Sequence, residues 1–132
     1  MGEGNLLAVV LGAAAFFLVG ALWYGLLFSK AWQRAAGLSD EALKGGNQAL
    51  IFGLAFLFEL LIALTVWHSV ARGAASDRGV MMMAVGFGAA IMTPAVGISY
   101  LFLRKSLTLF LLDAGHFIFG MAAMGAVFTL FI

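Results

Sequence analysis

Four long apolar runs dominate this 132-residue sequence, and they limit what it can fold into. A helix needs about 20 mostly apolar residues to cross the hydrocarbon layer of a membrane. Four segments reach that length, at about 6–28, 49–67, 80–103 and 107–131. Only 10% of the residues are charged, whereas a soluble domain carries about a quarter. The sequence therefore predicts an all-α membrane protein, with residues 1–132 forming a single bundle of four transmembrane helices.

The basic residues between these segments predict the orientation of the bundle. The first and third connections together hold Lys30, Arg34, Lys44, Arg104 and Lys105, whereas the second holds only Arg72 and Arg78. Short loops rich in Lys and Arg stay in the cytoplasm. We therefore expect both termini to be extracytoplasmic. The side chains expected to anchor the cytoplasmic side among the lipid headgroups are Trp23, Trp32, Lys30, Arg104 and Lys105.

The first connection is predicted to contain a short helix of its own, at about 39–45. Ser39 is a residue type that caps helix N-termini. Asp40 and Glu41 follow in the first turn, where the helix dipole favours negative charge. Gly45-Gly46 then ends the helix. We expect this helix to lie on the cytoplasmic surface of the membrane.

Three ionisable residues fall inside the predicted spans, and with Gln48 they form a predicted polar seam. Ionisable side chains are costly in lipid and normally face the bundle interior or a cavity. At ~1.5 Å per residue, Glu59 and His116 lie ~15 and ~14 Å along their helices from the cytoplasmic side. Asp113 shares a face with His116, one turn away, and Gln48 precedes Glu59 on the same stripe. Tyr24 and Tyr100 are expected at the cytoplasmic mouth of the seam.

The seam has two interpretations. If the second and fourth helices touch, Glu59 and His116 can form a hydrogen bond that fixes how the helices pack. Alternatively, the same groups can relay protons or hold a cation in a carrier, since ionisable residues inside membranes commonly mark such pathways. Both interpretations stay open at the level of sequence.

Enzymatic, metal and nucleic-acid functions find little support. The chain has no cysteine, and no serine stands at a useful spacing from a histidine and an acid, so we predict neither an enzyme nor catalytic residues. Zinc needs three or four ligands and no paired-histidine motif occurs, so no metal site is expected. No cofactor is predicted, although His116 or His68 alone could ligate a haem or pigment. The net charge of +1 argues against a nucleic-acid partner.

Two features of the sequence concern how the helices pack. Pro94, the single proline, lies near the middle of the third segment and predicts a kink there. Alanine and glycine recur four residues apart, as in Ala49 and Gly53, which favours close contact between helices in lipid. Because such pairs outnumber what four helices need, we expect a homo-oligomer or a place in a larger membrane complex.

Several motifs resemble a bacterial membrane family of unknown function, catalogued as unknown-function family 1761. They are Gly20-Ala21-Leu22-Trp23-Tyr24, Phe28-Ser29-Lys30-Ala31-Trp32, Gly37-Leu38-Ser39 and Asp113-Ala114-Gly115-His116-Phe117. Gly25 stands where that family commonly has a Ser-Pro turn. The resemblance covers nearly the whole chain. It implies a four-helix, multi-pass protein of the bacterial cytoplasmic membrane, and it brings no reaction or cofactor.

Two functions are therefore expected from the sequence. The first is a non-enzymatic membrane protein that associates with itself or serves as an accessory subunit of a complex in the bilayer. The alternative is a proton-linked carrier of a small solute that uses the buried Glu, Asp and His side chains.

Overall fold

Helices form almost all of the computed structural model, which describes residues 4–74 and 76–132. Four helical segments in this part of the chain are long and apolar enough to cross a membrane, which confirms the predicted all-α, four-span class. The elements are α1 (Gly4–Leu22) with a π-helical segment (Trp23–Leu27), α2 (Ser29–Ala36), α3 (Asp40–Lys44), α4 (Gln48–Gly73), α5 (Asp77–Phe87) with a second π-helical segment (Gly88–Met92), α6 (Thr93–Leu103) and α7 (Leu107–Thr129).

Some helix boundaries differ from those expected. Helix α4 continues to Gly73, beyond the predicted end at Trp67, because Val70 in the last turns is fully buried in the core. Helix α2 had not been predicted at all. It carries partly buried apolar side chains at Trp32, Ala35 and Ala36, which is a helical spacing. The segment has only eight residues and is too short for a membrane span.

Side-chain caps begin four of the helices. At such a position a side-chain oxygen accepts a hydrogen bond from a backbone N–H that has no partner within the helix. The capping residues are Ser39 for α3, Asn47 for α4, Ser76 for α5 and Ser106 for α7. Each connection between the spans therefore ends on a residue that starts the next helix.

Helices α1 and α7 form the centre of the bundle. Helix α1 packs against α7 on one side and α4 on the other, while α5 packs against α7. The core between them is apolar and includes the buried side chains of Phe16, Met121, Met124 and Phe128. Helix α4 reaches α7 through Trp67, whose ring centroid lies 5.2 Å from that of Phe128.

Pro94 lies just after the second π-helical segment. Proline has no N–H to bond the carbonyl four residues earlier, and its ring clashes with that carbonyl. The preceding turn, Gly88–Met92, is widened to a π-helix, which is one way in which a helix absorbs such an interruption. The Thr93 hydroxyl donates to the Gly88 carbonyl over 2.8 Å. The effect of the proline that the structure describes is thus a local widening of the helix.

One end of the bundle carries the two basic connections, and we call it the basic end. It is defined by Lys30, Arg34, Lys44, Arg104 and Lys105. The opposite end is the far end, where α4 meets α5. That the basic end faces the cytoplasm stays a prediction.

Glycine at position 125 is required for the contact between α5 and α7. A Cβ atom there would lie 2.8 Å from the Cβ of Ala84, so the two helices would have to separate. We expect Gly125→Ala to lower the free energy of unfolding by about 1–3 kcal/mol, a typical cost of overpacking. The measurement is a denaturant titration in detergent micelles.

Gly86→Ala on α5 is the matched control, since a Cβ at Gly86 would meet no atom within 4 Å. This variant should be neutral, or more stable by up to about 1 kcal/mol through helix propensity. Equal losses of stability in the two variants would contradict the packing assigned to α5 and α7.

Candidate functional site

A carboxylate held by two tyrosines lies inside the bundle near the basic end. Asp113 on α7 is 6% exposed. Its Oδ1 accepts a hydrogen bond of 2.5 Å from the Tyr24 hydroxyl, and its Oδ2 accepts one from the Tyr100 hydroxyl. Tyr24 follows α1 and Tyr100 belongs to α6, so this Tyr-Asp-Tyr cluster joins three spans. The positions of Tyr24 and Tyr100 along their helices predicted that both lie near the seam, but not that both bond to Asp113.

The π-helical segment Trp23–Leu27 places two adjacent aromatic residues against α7. Alongside the bond from Tyr24 to Asp113, the Trp23 Nε1 donates to the Leu112 carbonyl over 3.0 Å. The Trp23 ring also lies where a Cβ on Gly115 would be, at 2.7 Å. Trp23 was expected to serve as a headgroup anchor, which stays a prediction; the structure adds that its ring and its N–H are used in packing between helices.

His116 lies one turn further along α7 and is only 8% exposed. Aromatic rings surround its imidazole, with centroids at 4.8 Å for Tyr24, 5.0 Å for Phe117 and 5.2 Å for Phe16. Its Nδ1 is buried and has no hydrogen-bond partner among the residues that the structure describes. Gly20 on α1 makes room on the other side of the ring, since a Cβ there would lie 3.0 Å from Nε2. Buried polar atoms in proteins nearly always have partners, so this nitrogen needs an explanation.

Two cavities meet at His116 and Tyr24, which line both of them. The basic-end cavity has a volume of about 670 Å³ and is lined by Tyr24, Trp32, Ala36, Ala95, Val96, Ser99, Tyr100, Leu109, Asp113, His116 and Phe117. The α1–α4 cavity has a volume of about 490 Å³ and is lined by Phe17, Gly20, Ala21, Tyr24, Gly25, Phe52, Ala55, Glu59 and His116. His116 therefore stands between a cavity that contains Asp113 and a cavity that contains Glu59.

Glu59 and His116 share the α1–α4 cavity without forming the hydrogen bond that had been considered. Glu59 is half-buried, and its Oε2 is a buried atom with no hydrogen-bond partner. The expected pairing required α4 and α7 to touch at this level, but α4 packs mainly against α1. Periodicity places each residue at a depth on its own helix, and it does not determine which helices become neighbours.

Gln48 does not belong to the seam, and that prediction is wrong. It is exposed at the first position of α4. Its Nε2 donates to the carbonyls of Leu43 and Gly45, over 2.9 and 3.2 Å, and so ties the end of α3 to the start of α4. Three turns before Glu59, the helical stripe has come to the first residue of α4. There the backbone carbonyls at the end of α3 accept the hydrogen bonds of Gln48.

Helix α2 contributes to the site in a way that the sequence reading missed. Trp32 was expected as a headgroup anchor, yet it lines the basic-end cavity, and its ring centroid lies 5.3 Å from that of Tyr24. The amphipathic pattern of residues 29–36 was the available signal. His68, by contrast, is exposed on the far half of α4 and lines neither cavity.

The site combines hydrogen-bonding and ionisable groups in an apolar surrounding. A carboxyl group can hold a proton or a cation, and an imidazole can accept on one nitrogen while donating on the other. Within the described residues, no group of three or more His, Cys, Asp or Glu side chains is arranged to hold a metal ion. The arrangement suits proton exchange and binding of a small solute better than metal coordination.

The Tyr-Asp-Tyr cluster should stabilise the bundle measurably. We expect Tyr24→Phe and Tyr100→Phe each to lower the free energy of unfolding by about 1–2 kcal/mol, because each removes a hydrogen bond between helices in a membrane setting. Thr65→Val is the matched control, since the Thr65 hydroxyl bonds only within its own helix, to the Leu61 carbonyl at 2.9 Å. Denaturant titration in micelles measures all three, and tyrosine variants as stable as the control would contradict the role assigned to Asp113.

Comparisons with known proteins agree with the motifs noted in the sequence. A family model described as "Protein of unknown function (DUF1761)" matches residues 7–129, nearly the whole chain. No curated protein and no solved structure matches the sequence. Four helices in the described residues are long and apolar enough to cross a membrane, and the family match covers almost all of them, so the chain belongs to the family of unknown function DUF1761.

Proposed function

We propose that this protein is a non-enzymatic, proton-linked carrier of a small solute in the bacterial cytoplasmic membrane, with its basic end in the cytoplasm. One observation carries the proposal: His116 is almost fully buried, has an unpartnered Nδ1 and separates two cavities. Trp67 Nε1 in the apolar core also lacks a partner among the described residues, but the indole of Trp67 only donates and lines neither cavity. Leaving such atoms unpaired is costly, and ionisable groups within membranes commonly mark ion and proton pathways.

The order of the groups supports a path through the bundle. Asp113 lies toward the basic end and Glu59 lies in the second cavity, with His116 between them. Imidazole takes up and releases protons near neutral pH more readily than other side chains do. Toward the far end, the buried side chains of Phe16 and Met121 fill the space between α1 and α7. A carrier of this kind would have to repack that apolar layer to release a solute there.

Proteoliposomes with an imposed pH gradient test the carrier. The wild-type protein should dissipate the gradient when a transported solute is present, and Glu59→Gln and His116→Gln should reduce the rate to that of protein-free liposomes. Glu41→Gln and His68→Gln are matched controls, because both residues are exposed and line neither cavity. If the wild-type protein moves neither protons nor solute across the liposome membrane for any solute in a panel of small solutes, the carrier proposal is wrong.

A second function, self-association, is supported by one surface of α4. Several glycines are used inside the bundle; Gly12, for example, accommodates Phe128 and Gly88 accommodates Met121. Gly53 differs, since a Cβ there would meet nothing within 4 Å, and Ala49 one turn earlier is exposed. We propose that this surface packs against a second copy of the chain, or against a larger membrane complex in which the protein is an accessory subunit.

Disulfide cross-linking tests this second proposal, because the chain has no native cysteine. Gly53→Cys should give a covalent dimer on oxidation in membranes. Ile98→Cys is the control, since Ile98 is exposed on α6 and lies as many residues from the basic end of its span as Gly53 does. Equal cross-linking at the two positions would indicate random collision and would remove the case for a specific α4 interface.

A further inference from the structure

We propose that the α1–α4 cavity binds a small aromatic organic cation, such as an aryl quaternary ammonium ion, between the carboxyl group of Glu59 and the rings of Phe17 and Phe52. This inference rests on the proposed carrier function and names the class of solute. It depends on the juxtaposition of one acidic group and several aromatic rings in a single cavity.

Charge is the first argument. Among the residues that the structure describes, Glu59 is the only acidic one that lines the α1–α4 cavity, and no Lys or Arg lines it. Its Oε2 is buried without a hydrogen-bond partner. A carboxylate removed from water requires a positive partner or a proton. Exchange of a bound proton for a bound cation would therefore occur at this one group, which is what a proton-linked carrier needs.

The walls of the cavity are the second argument. The Phe17 ring lies with its centroid 6.2 Å from that of Phe52, with the two planes close to perpendicular. Tyr24 adds a third aromatic ring to the same cavity. Aromatic faces attract cations, and quaternary ammonium groups are typically recognised by several rings together. Inorganic cations would gain little here, because the described residues hold no cluster of three or more metal-ligating side chains.

Size and access are the third argument. A volume of about 490 Å³ suits a small organic molecule, since ligand pockets usually measure about 300–1,000 Å³. Ala21, Gly25 and Phe52 line the cavity and are also exposed on the outside of the bundle. An amphipathic cation dissolved in the membrane could therefore enter sideways from the lipid. Such a cation would present its charged group to Glu59 and its ring to the aromatic walls.

Equilibrium dialysis with the full chain in lipid nanodiscs tests the inference, with phenyltrimethylammonium as the probe and empty nanodiscs as the blank. We expect saturable binding that Glu59→Gln weakens at least about tenfold, because it removes the counter-charge. Phe52→Leu should also weaken binding, by a smaller factor. Glu41→Gln on the exposed helix α3 should bind as the wild type does.

A neutral competitor separates charge recognition from apolar filling. tert-Butylbenzene has nearly the shape of the probe without its charge, and it should not displace the probe at equal concentration. Equal displacement, or unchanged binding in Glu59→Gln, would mean that the cavity is an apolar lipid site, and would overturn the inference. Saturable, Glu59-dependent binding without proton flux would retain the inference and reject the carrier. Glu59-dependent proton flux without binding of the probe would retain the carrier and reject the inference of an aromatic cation as its solute.

Discussion

Hydrocarbon offers no hydrogen bonds to a polypeptide backbone, and this constraint governs the whole structure. Backbone N–H and C=O groups must then be satisfied inside helices. Lipid tails also remove the hydrophobic drive for helices to associate, so close packing and polar contacts must replace it. Helix α7 shows both devices. Gly115 and Gly120 on α7 admit the rings of Trp23 and Phe16 from the first span, and Asp113 accepts two hydrogen bonds from other spans.

The same constraint separates two kinds of polar group in the bundle. Asp113 is satisfied by donors from two other helices, and its hydrogen bonds help to determine which helices meet. Glu59 and His116 each retain a buried atom with no partner. The same is true of Nε1 of Trp67 in the apolar core, so the cavities rather than the missing bonds distinguish Glu59 and His116. Both line a cavity, which is where a ligand or a proton could supply the missing partner.

Sequence predicted the fold more completely than the site, for a physical reason. Apolar length alone determines that a segment can span a membrane, so the four spans were readable directly. Depth along each helix placed Asp113 and His116 correctly inside the bundle. Neighbour relations depend on close packing: the pairing of Glu59 with His116 was predicted only on the condition that α4 touches α7, and α4 packs mainly against α1. The prediction for Gln48 was wrong for a related reason, since periodicity continues to the first residue of a helix, where the backbone carbonyls of the preceding connection accept its hydrogen bonds.

One of the two π-helical segments lies where the two cavities meet. The segment Trp23–Leu27 is π-helical and supplies Tyr24, which lines both cavities and bonds to Asp113. Isolated π-helical turns are frequent at functional sites. A π-helical turn holds more residues than an α-helical one, so conversion between the two forms would rotate Tyr24 relative to α7. That rotation would break one hydrogen bond to Asp113 and alter the wall that Tyr24 and His116 form between the cavities. Alternating access to a buried site requires an element with two arrangements, and in the proposed carrier Trp23–Leu27 is the segment whose conversion would provide the second one.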